Sequence, residues 1–148
     1  MLSDGDRIRN LLGRYCDRID AGDFAAVGEL FASGCVADEH GTELARGTEA
    51  VAAFFASAAR LDDGSPRTKH LVLNSVIDDP EDDGSVTVRS SYVVLQALDG
   101  FPLQPIITGR YIDRFEHDRH GWHFAERRFA VDLVGDLSRH LTFSPEVT

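Results

Sequence analysis

The sequence contains few cysteines and few basic residues, and both shortages limit what the protein can do. Cys16 and Cys35 are its only cysteines, and neither stands in a CxxC or a Cys/His ligand spacing. They are therefore predicted to be reduced core thiols rather than part of a disulfide framework or a zinc site. Lysine and arginine number 15 against 25 aspartates and glutamates, which gives a formal net charge of -10. Because this charge repels phosphates, neither nucleic acid nor an anionic membrane surface is expected as a partner.

Long hydrophobic runs are also missing. No window approaches the ~20 apolar residues of a membrane span, and no basic stretch followed by an apolar run opens the chain, so a cytoplasmic location is the expectation. With 148 residues, 43% of them hydrophobic, the chain is long enough to bury one core, and it contains no repeat or linker. We expect a single domain over residues 1–148, with a core at about residues 4–136. The tail, residues 137–148, is expected either to cover the core or to be frayed.

The first part of the chain has the periodicity of helices. Apolar residues recur at helical spacing from Ile8 to Ile19, after the N-cap candidates Ser3 and Asp4 and before the stop at Gly22. The same reasoning predicts a short helix over residues 24–31 and a third over residues 47–58, closed by the Gly-Ser-Pro at 64–66. Residues 35–37 and 43–45 could form short strands.

Beyond residue 66 the pattern changes to extended runs rich in Val, Ile, Leu, Tyr and Phe. These runs cover residues 67–77, 86–98, 106–115 and 122–133, and Gly or Pro stands among polar residues in each separator. Successive hairpins predict an antiparallel meander. Helices followed by strands predict an α+β fold, with the helices packed on one face of a strongly curved antiparallel sheet.

The first long strand is apolar on both faces. His70, Val72, Asn74 and Val76 share one face, and residues 71, 73, 75 and 77 share the other. Both faces are therefore predicted to be buried, one against the helices and a pocket, and the other against a second layer or another subunit. A homo-oligomer, either a dimer or a trimer, is the expected assembly.

Two ionisable residues stand out by their positions. Asp20 lies at the predicted end of the first helix, where an acidic charge is unfavourable for the helix dipole, and can either solvate that end or turn towards a cavity. His70 lies inside a strand among apolar residues and can be either a core histidine or a base. A carboxylate that fixes one imidazole nitrogen makes the other nitrogen a positioned base near neutral pH. Spacing alone does not decide between these alternatives.

Three segments resemble the SnoaL-like branch of the nuclear transport factor 2-like superfamily. They are residues 15–24 (YCDRIDAGDF), 67–70 (RTKH) and the hairpin at 109–124, within a resemblance that runs from Asp4 to about Leu141. The resemblance implies a cone-shaped pocket and an Asp-His pair like that of scytalone dehydratase, hexachlorocyclohexane dehydrochlorinase and bile-acid 7α-dehydratase. The family aspartate precedes a small, acidic and aromatic turn, which matches Asp20, and the family histidine opens the first long strand, which matches His70. Tyr15 matches a tyrosine five residues before the aspartate of the bile-acid enzyme.

The resemblance implies a cofactor-independent lyase or isomerase, of the dehydratase type, that acts on a hydrophobic cyclic compound such as a polyketide or a steroid. His70 would remove a proton, Asp20 would orient the imidazole, and Tyr15 would polarise the substrate oxygen. Predicted substrate-binding residues are Tyr92, Tyr111, Asn74 and Phe54, although both tyrosines could instead be packing residues. Two alternatives stay open: a SnoaL-type polyketide cyclase, and a non-catalytic ligand-binding or structural subunit of the same fold.

Other groups of residues give weaker evidence of a functional site. A second acidic or histidine pocket residue of some dehydratases would fall near Val93 or Val94, where this chain is apolar. His117, His120 and His123 have the spacing of metal ligands, but they span a predicted hairpin turn in which exposed polar residues are expected. No metal site and no cofactor are therefore predicted. The strand arginines Arg89, Arg110, Arg127 and Arg128 stay unassigned: they could form ion pairs on outer faces, or one that points inward could neutralise an anionic substrate or intermediate.

Overall fold

Three helices and two short strands precede four long strands, in the order that the sequence pattern predicts. The computed structural model describes all 148 residues. The helices are α1 (Asp4–Asp20), α2 (Phe24–Glu29) and α3 (Gly47–Ala58). The strands are β1 (Cys35–Asp38), β2 (Glu43–Arg46), β3 (Thr68–Ile77), β4 (Val86–Leu98), β5 (Phe101–Asp118) and β6 (Gly121–Val134). None of the helices combines the length and the hydropathy needed to cross a membrane.

Helix α1 begins at a capping box and ends beside the sheet. The Ser3 hydroxyl accepts a hydrogen bond from the Asp6 backbone N–H at 3.2 Å, and the Asp6 carboxylate accepts one from the Ser3 backbone N–H at 3.1 Å. Each bond satisfies an N–H group that has no partner inside the helix. The apolar stripe of α1 is buried against the core, and the chain turns at Gly22, whose φ is 70°. This arrangement brings Asp20, the last helical residue, to the start of β3.

The six strands form one mixed sheet in the order β2-β1-β6-β5-β4-β3. Neighbours from β6 to β3 are antiparallel, as the predicted meander requires, and β1 pairs with β2 in the same way. The expectation of a wholly antiparallel sheet is wrong at one place, because β1 runs parallel to β6. The connection between these two strands is long and is not a hairpin, so they can pair in parallel. The predicted α+β fold is otherwise confirmed.

Bulges give the sheet its strong curl. The register shifts within the β3–β4, β4–β5 and β5–β6 pairs, and each shift bends the strands locally. At Gly109 a Cβ atom would overlap the Ala130 backbone carbonyl oxygen and would lie 2.6 Å from the Tyr92 hydroxyl oxygen. Only glycine fits at this position. The curled sheet does not close, and its concave face packs against the helices.

Within one chain β3 is not buried on both faces, and cover of its outer face by another subunit stays a prediction. The register of β3 shifts between Leu73 and Val76, and Asn74 within the bulge has a φ of 54°. Since β3 is also an edge strand, Leu73 is 44% exposed and Val76 is 55% exposed. The bulge interrupts the simple alternation on which the prediction depended.

The C-terminal tail, residues 137–148, packs against the end of α3 and against β6. Thr142 donates a backbone hydrogen bond to the Ala58 carbonyl at 2.9 Å, and Leu141 forms a β-bridge with Ala59. Near the C-terminus, the backbone N–H of Thr148 donates to Val131 in β6 at 2.8 Å. Helix α3 ends at Ala58, before the predicted Gly-Ser-Pro stop, and the residues after it meet the tail instead.

Candidate active site

A cavity of about 320 Å³ lies between the curled sheet, the helices and the C-terminal tail. This volume is at the lower end of the range of small-molecule pockets, which is roughly 300–1,000 Å³. Most of the lining is hydrophobic and comes from every layer of the fold. The apolar lining includes Ile19, Phe55, Val94, Ile107, Phe129 and Phe143. Such a cavity suits a compact and largely apolar ligand.

Asp20 and His70 meet at the wall of this cavity. The Asp20 Oδ1 atom lies 2.6 Å from His70 Nδ1, and the other carboxylate oxygen accepts the His70 backbone N–H at 2.8 Å. Thr68, two residues earlier on β3, donates its hydroxyl to Asp20 Oδ1 at 2.9 Å. Both side chains are largely buried, with 14% of Asp20 and 7% of His70 exposed. The end of α1 and the start of β3 thus hold the imidazole in one orientation.

The hydrogen bonds of Asp20 favour its ionised form. Burial disfavours the charged carboxylate, but the hydrogen bonds and the charge of His70 outweigh burial and hold the pKa of Asp20 below its usual range. In the neutral imidazole, an Nδ1–H that donates a hydrogen bond to the Asp20 carboxylate leaves the lone pair on Nε2. This Nε2 atom makes no hydrogen bond within the protein and is not fully buried. His70 is also one of the residues that line the cavity.

Three tyrosines place phenol groups in the same cavity. Tyr15 meets the His70 ring edge-on at a centroid distance of 6.5 Å, and Tyr92 stacks on Tyr111 at 4.3 Å. Burial raises the pKa of Tyr92 to about 12, and it raises the pKa of Tyr15 and of Tyr111 further. All three side chains are therefore protonated at neutral pH and can act as hydrogen-bond donors.

A buried ion pair packs against the rings of two of these tyrosines. Arg127 and Asp113 are both fully buried and form two hydrogen bonds of 2.7 Å. The Arg127 guanidinium carbon lies 3.8 Å from the Tyr111 ring centroid and 4.2 Å from that of Tyr15, which are cation–π distances. Of the two positions that the sequence left open for Arg127, the structure has the inward one. β6 pairs with β5 so that Arg127 stands opposite Asp113, and this partner makes the burial of its charge possible.

The structure brings together most of the predicted site residues. Asp20 and His70 are in contact, and the cavity is lined by Tyr15, Tyr92, Tyr111 and Phe54. Asn74 is the exception, because it is exposed in the β3 bulge and does not line the cavity. His117 and His123 lie on the strands that flank the predicted β5–β6 hairpin turn, and His120 lies in the turn itself.

One cavity residue was missed by the sequence reasoning altogether. His140, in the tail, is 8% exposed and lines the cavity, and its ring lies 6.0 Å from the His70 ring, centroid to centroid. The tail has neither helical nor strand periodicity, so no local pattern indicates that its histidine turns inward. Contacts that are distant in sequence, with residues 57–60 and with Gln96, determine this position.

Comparisons with known proteins agree with this architecture. Residues 1–128 match the family model described as the SnoaL-like domain. None of the curated proteins matches the chain in sequence.

Several solved structures share the fold. A variant of Rv3472 from Mycobacterium tuberculosis, a protein of unknown function, is 25% identical with a TM-score of 0.68, and the match covers 86% of this chain and 71% of that one. A nuclear transport factor 2-like protein with a cystatin-like fold from Novosphingobium aromaticivorans is 23% identical with a TM-score of 0.70, over 92% and 86% of the chains. A protein from the same organism, provisionally named a scytalone dehydratase, is 19% identical with a TM-score of 0.66, over 87% and 84%. The last two likenesses show the fold alone.

Proposed function

This chain belongs to the SnoaL-like family, and from that premise we propose that it is a cofactor-independent dehydratase or isomerase acting on a hydrophobic cyclic substrate. The observation that carries the proposal is the Asp20–His70 pair. A carboxylate 2.6 Å from Nδ1 orients the imidazole, and the unpaired Nε2 belongs to a residue that lines an apolar cavity. The provisional name of the scytalone dehydratase relative supports the same class of reaction.

In the proposed reaction His70 is the base. Its Nε2 atom takes a proton from the carbon next to a carbonyl group of the substrate, and Asp20 stabilises the resulting imidazolium. The electron pair of the broken C–H bond moves towards the carbonyl oxygen, which Tyr15 stabilises as a hydrogen-bond donor. The protonated His70 then returns the proton to a departing hydroxyl group, giving water and an alkene, or to another carbon, giving an isomer.

The cavity limits the substrates that fit this reaction. Its volume of about 320 Å³ and its largely hydrophobic lining favour a compound of one or two fused rings over a long chain. Phe54 and Phe55 of α3 and Phe129 of β6 offer ring edges and faces to such a compound. The hydroxyl of Tyr92 is available for a second polar group on the substrate.

A non-catalytic binding or structural role has less support. That alternative predicts either an Asp20 and a His70 too distant to form a hydrogen bond, or a pocket filled by side chains. The 2.6 Å contact and the open cavity match neither expectation. An ordinary core histidine would also use both of its ring nitrogens, whereas His70 uses one.

The test measures proton abstraction directly. Purified protein is incubated in D₂O with β-hydroxytetralone, a bicyclic β-hydroxy ketone that becomes a naphthol when it loses water. We expect deuterium at the carbon next to the carbonyl, by NMR, and naphthol formation, by absorbance. His70→Ala and Asp20→Asn should each lower both rates by at least about 100-fold, because each removes part of the general base.

The matched control for these variants is His120→Ala, which removes an exposed histidine in the β5–β6 turn. It should react at the wild-type rate. If His70→Ala, folded as judged by circular dichroism, retains most of the exchange rate, the pair is not the base. Wild-type protein that binds the ketone without exchanging its protons would contradict the proposed function itself.

A polyketide cyclase is the second candidate, because the family match is to the SnoaL-like domain. The same base would then form an enolate that attacks a second carbonyl group of the substrate, so that a carbon–carbon bond forms. The two candidates differ in their products. Mass spectrometry and NMR of an aryl diketone incubated with the protein would detect a new ring only for the cyclase.

A further inference from the structure

The histidine of the C-terminal tail is held at the cavity by its own backbone. The His140 N–H donates to the Leu137 carbonyl at 3.0 Å, and the His140 carbonyl accepts the Arg60 backbone N–H at 2.7 Å. On the preceding residue, the Arg139 carbonyl accepts a hydrogen bond from the Gln96 side chain at 3.0 Å. The imidazole itself takes no part in these contacts. Its position at the cavity is therefore not explained by a role in holding the tail.

The two ring nitrogens of His140 differ in their surroundings. Nδ1 is fully buried and has no hydrogen-bond partner, whereas Nε2 has no partner either but is not fully buried. A buried N–H group without a partner is rarer in proteins than a buried acceptor without one. The proton of the neutral ring therefore belongs on Nε2, the less buried nitrogen of a residue that lines the cavity.

The ring is also neutral at neutral pH. Burial lowers the pKa of His140 to about 4, and the nearby His70 ring lowers it as well, while the Asp20 carboxylate acts in the opposite direction. An imidazolium would place a second N–H at the unpartnered Nδ1 position. Both effects leave His140 as a neutral donor, next to a His70 whose free Nε2 is an acceptor.

We propose that His140 is a second catalytic residue, which donates a hydrogen bond from Nε2–H to the carbonyl oxygen of the substrate while His70 removes the adjacent proton. The catalytic role of His140 rests on the proposed function. The ability of its Nε2–H to donate a hydrogen bond is independent of that function. The residue paired directly with His70 on β4 is Val94, which has no hydrogen-bond donor in its side chain.

The bonds of the proposed step balance without a co-reactant. The C–H bond breaks, its proton goes to His70 Nε2, and its electron pair makes an enolate whose oxygen accepts hydrogen bonds from His140 and Tyr15. His140 keeps its proton throughout. When the carbonyl re-forms, the C–O bond of the departing hydroxyl group breaks, and His70 returns its proton to that group to give water.

The first experiment measures the tautomer and the donor directly. Protein labelled with ¹⁵N-histidine is observed by long-range ¹H–¹⁵N NMR at pH 7, free and with a naphthol as an enol analogue. We expect the His140 signals, identified by their loss in His140→Gln, to show a neutral ring with its proton on Nε2. The naphthol should move that proton resonance downfield. A proton on Nδ1, an imidazolium at pH 7, or an Nε2–H unmoved at naphthol saturation would overturn the proposal.

The second experiment compares two replacements in the reaction of the β-hydroxytetralone. His140→Leu removes the donor, and we expect the turnover number to fall about 100-fold, as for loss of one oxyanion donor. His140→Gln keeps a side-chain N–H and should remain within about tenfold of the wild type. His120→Leu, in the exposed turn, is the matched control and should be unaffected. Equal losses for Leu and Gln would overturn the role as donor.

The two experiments separate this inference from the proposed function. If the wild type fails to exchange protons of the ketone while the naphthol still moves the His140 Nε2–H resonance, the proposed function fails and the donor assignment stands. If His70→Ala abolishes exchange but His140→Leu has the wild-type turnover number, the proposed function stands and the role of His140 is wrong.

Discussion

The His140 imidazole connects the stability of the fold with pH. Burial lowers the pKa of His140 to about 4 from an ordinary value of 6.5, so between these values the unfolded chain binds a proton that the folded protein does not. Stability contributed by the neutral ring is therefore fully present above about pH 6.5 and is lost as the pH falls towards 4. A shift of this size corresponds to about 3 kcal/mol at most.

We therefore predict that the free energy of unfolding, measured with urea between pH 7 and pH 4, falls more steeply for the wild type than for His140→Gln. The glutamine cannot titrate, so the difference between the two slopes isolates His140. Asp20 contributes little in this range, because its lowered pKa confines its own effect to pH values below its usual pKa of 3.8. Parallel slopes would show that His140 titrates equally in the folded and the unfolded chain.

Which site residues are predictable depends on how local their signals are. Asp20 and His70 each stand at a predicted element boundary and match a family motif, so they were identified before the structure. By strict alternation Asn74 lies on the same face of β3 as His70, but the β3 bulge places it outside the site. A bulge of this kind cannot be recognised from a sequence pattern of period two. His140 lies in an aperiodic tail and reaches the cavity through contacts that are distant in sequence. Its role was therefore beyond a reading of local patterns.

At the scale of elements, the tail depends on one buried side chain of β4. Gln96 is 1% exposed, and its amide nitrogen donates to the Pro66 carbonyl and to the Arg139 carbonyl, both at 3.0 Å. It thus joins the chain before β3 to the turn that carries His140. No other side chain of the sheet makes hydrogen bonds to both segments.

We predict that Gln96→Leu loosens the tail without unfolding the domain. The replacement leaves two carbonyl groups without their donor, which costs about 1–3 kcal/mol. Hydrogen exchange followed by mass spectrometry should become faster in residues 137–148 while α1 keeps its protection. Gln104→Leu is the matched control, because Gln104 donates only to Pro102 within β5. Equal exchange of the tail in both variants would contradict the role of Gln96.

The elements themselves were predicted more completely than their pairing. Capping at Ser3 and the stop at Gly22 determine α1 locally, and Gly or Pro in the turns separates the long strands. The parallel pairing of β1 with β6 has no such signal, because it depends on which sheet edge remains available once the meander has formed. Local chemistry thus predicts the elements, whereas the sheet order is a property of the assembled core.

At the scale of the whole molecule, the sheet has an apolar row on the face away from the cavity. Leu71, Val93, Thr108 and Leu133 pair directly across β3, β4, β5 and β6. Their neighbours in the chain include the cavity residues His70, Val94 and Ile107, and alternation turns the row outward. Leu133 is 69% exposed, and the other three are half-buried. A partly exposed apolar row of this kind is suited to contact with a second copy of the chain.

We predict that the protein forms a dimer or a trimer through this row, and that Leu133→Asp weakens the assembly at least tenfold. In a symmetric dimer each substitution occurs twice at one interface, so two carboxylates would lose water and repel each other at the same place. Sedimentation velocity over a concentration series measures the effect. Leu61→Asp, which changes a 50% exposed leucine between α3 and β3, is the matched control and should assemble as the wild type does. A monomeric wild type at all concentrations would show that water, rather than a second subunit, covers the outer face of the sheet.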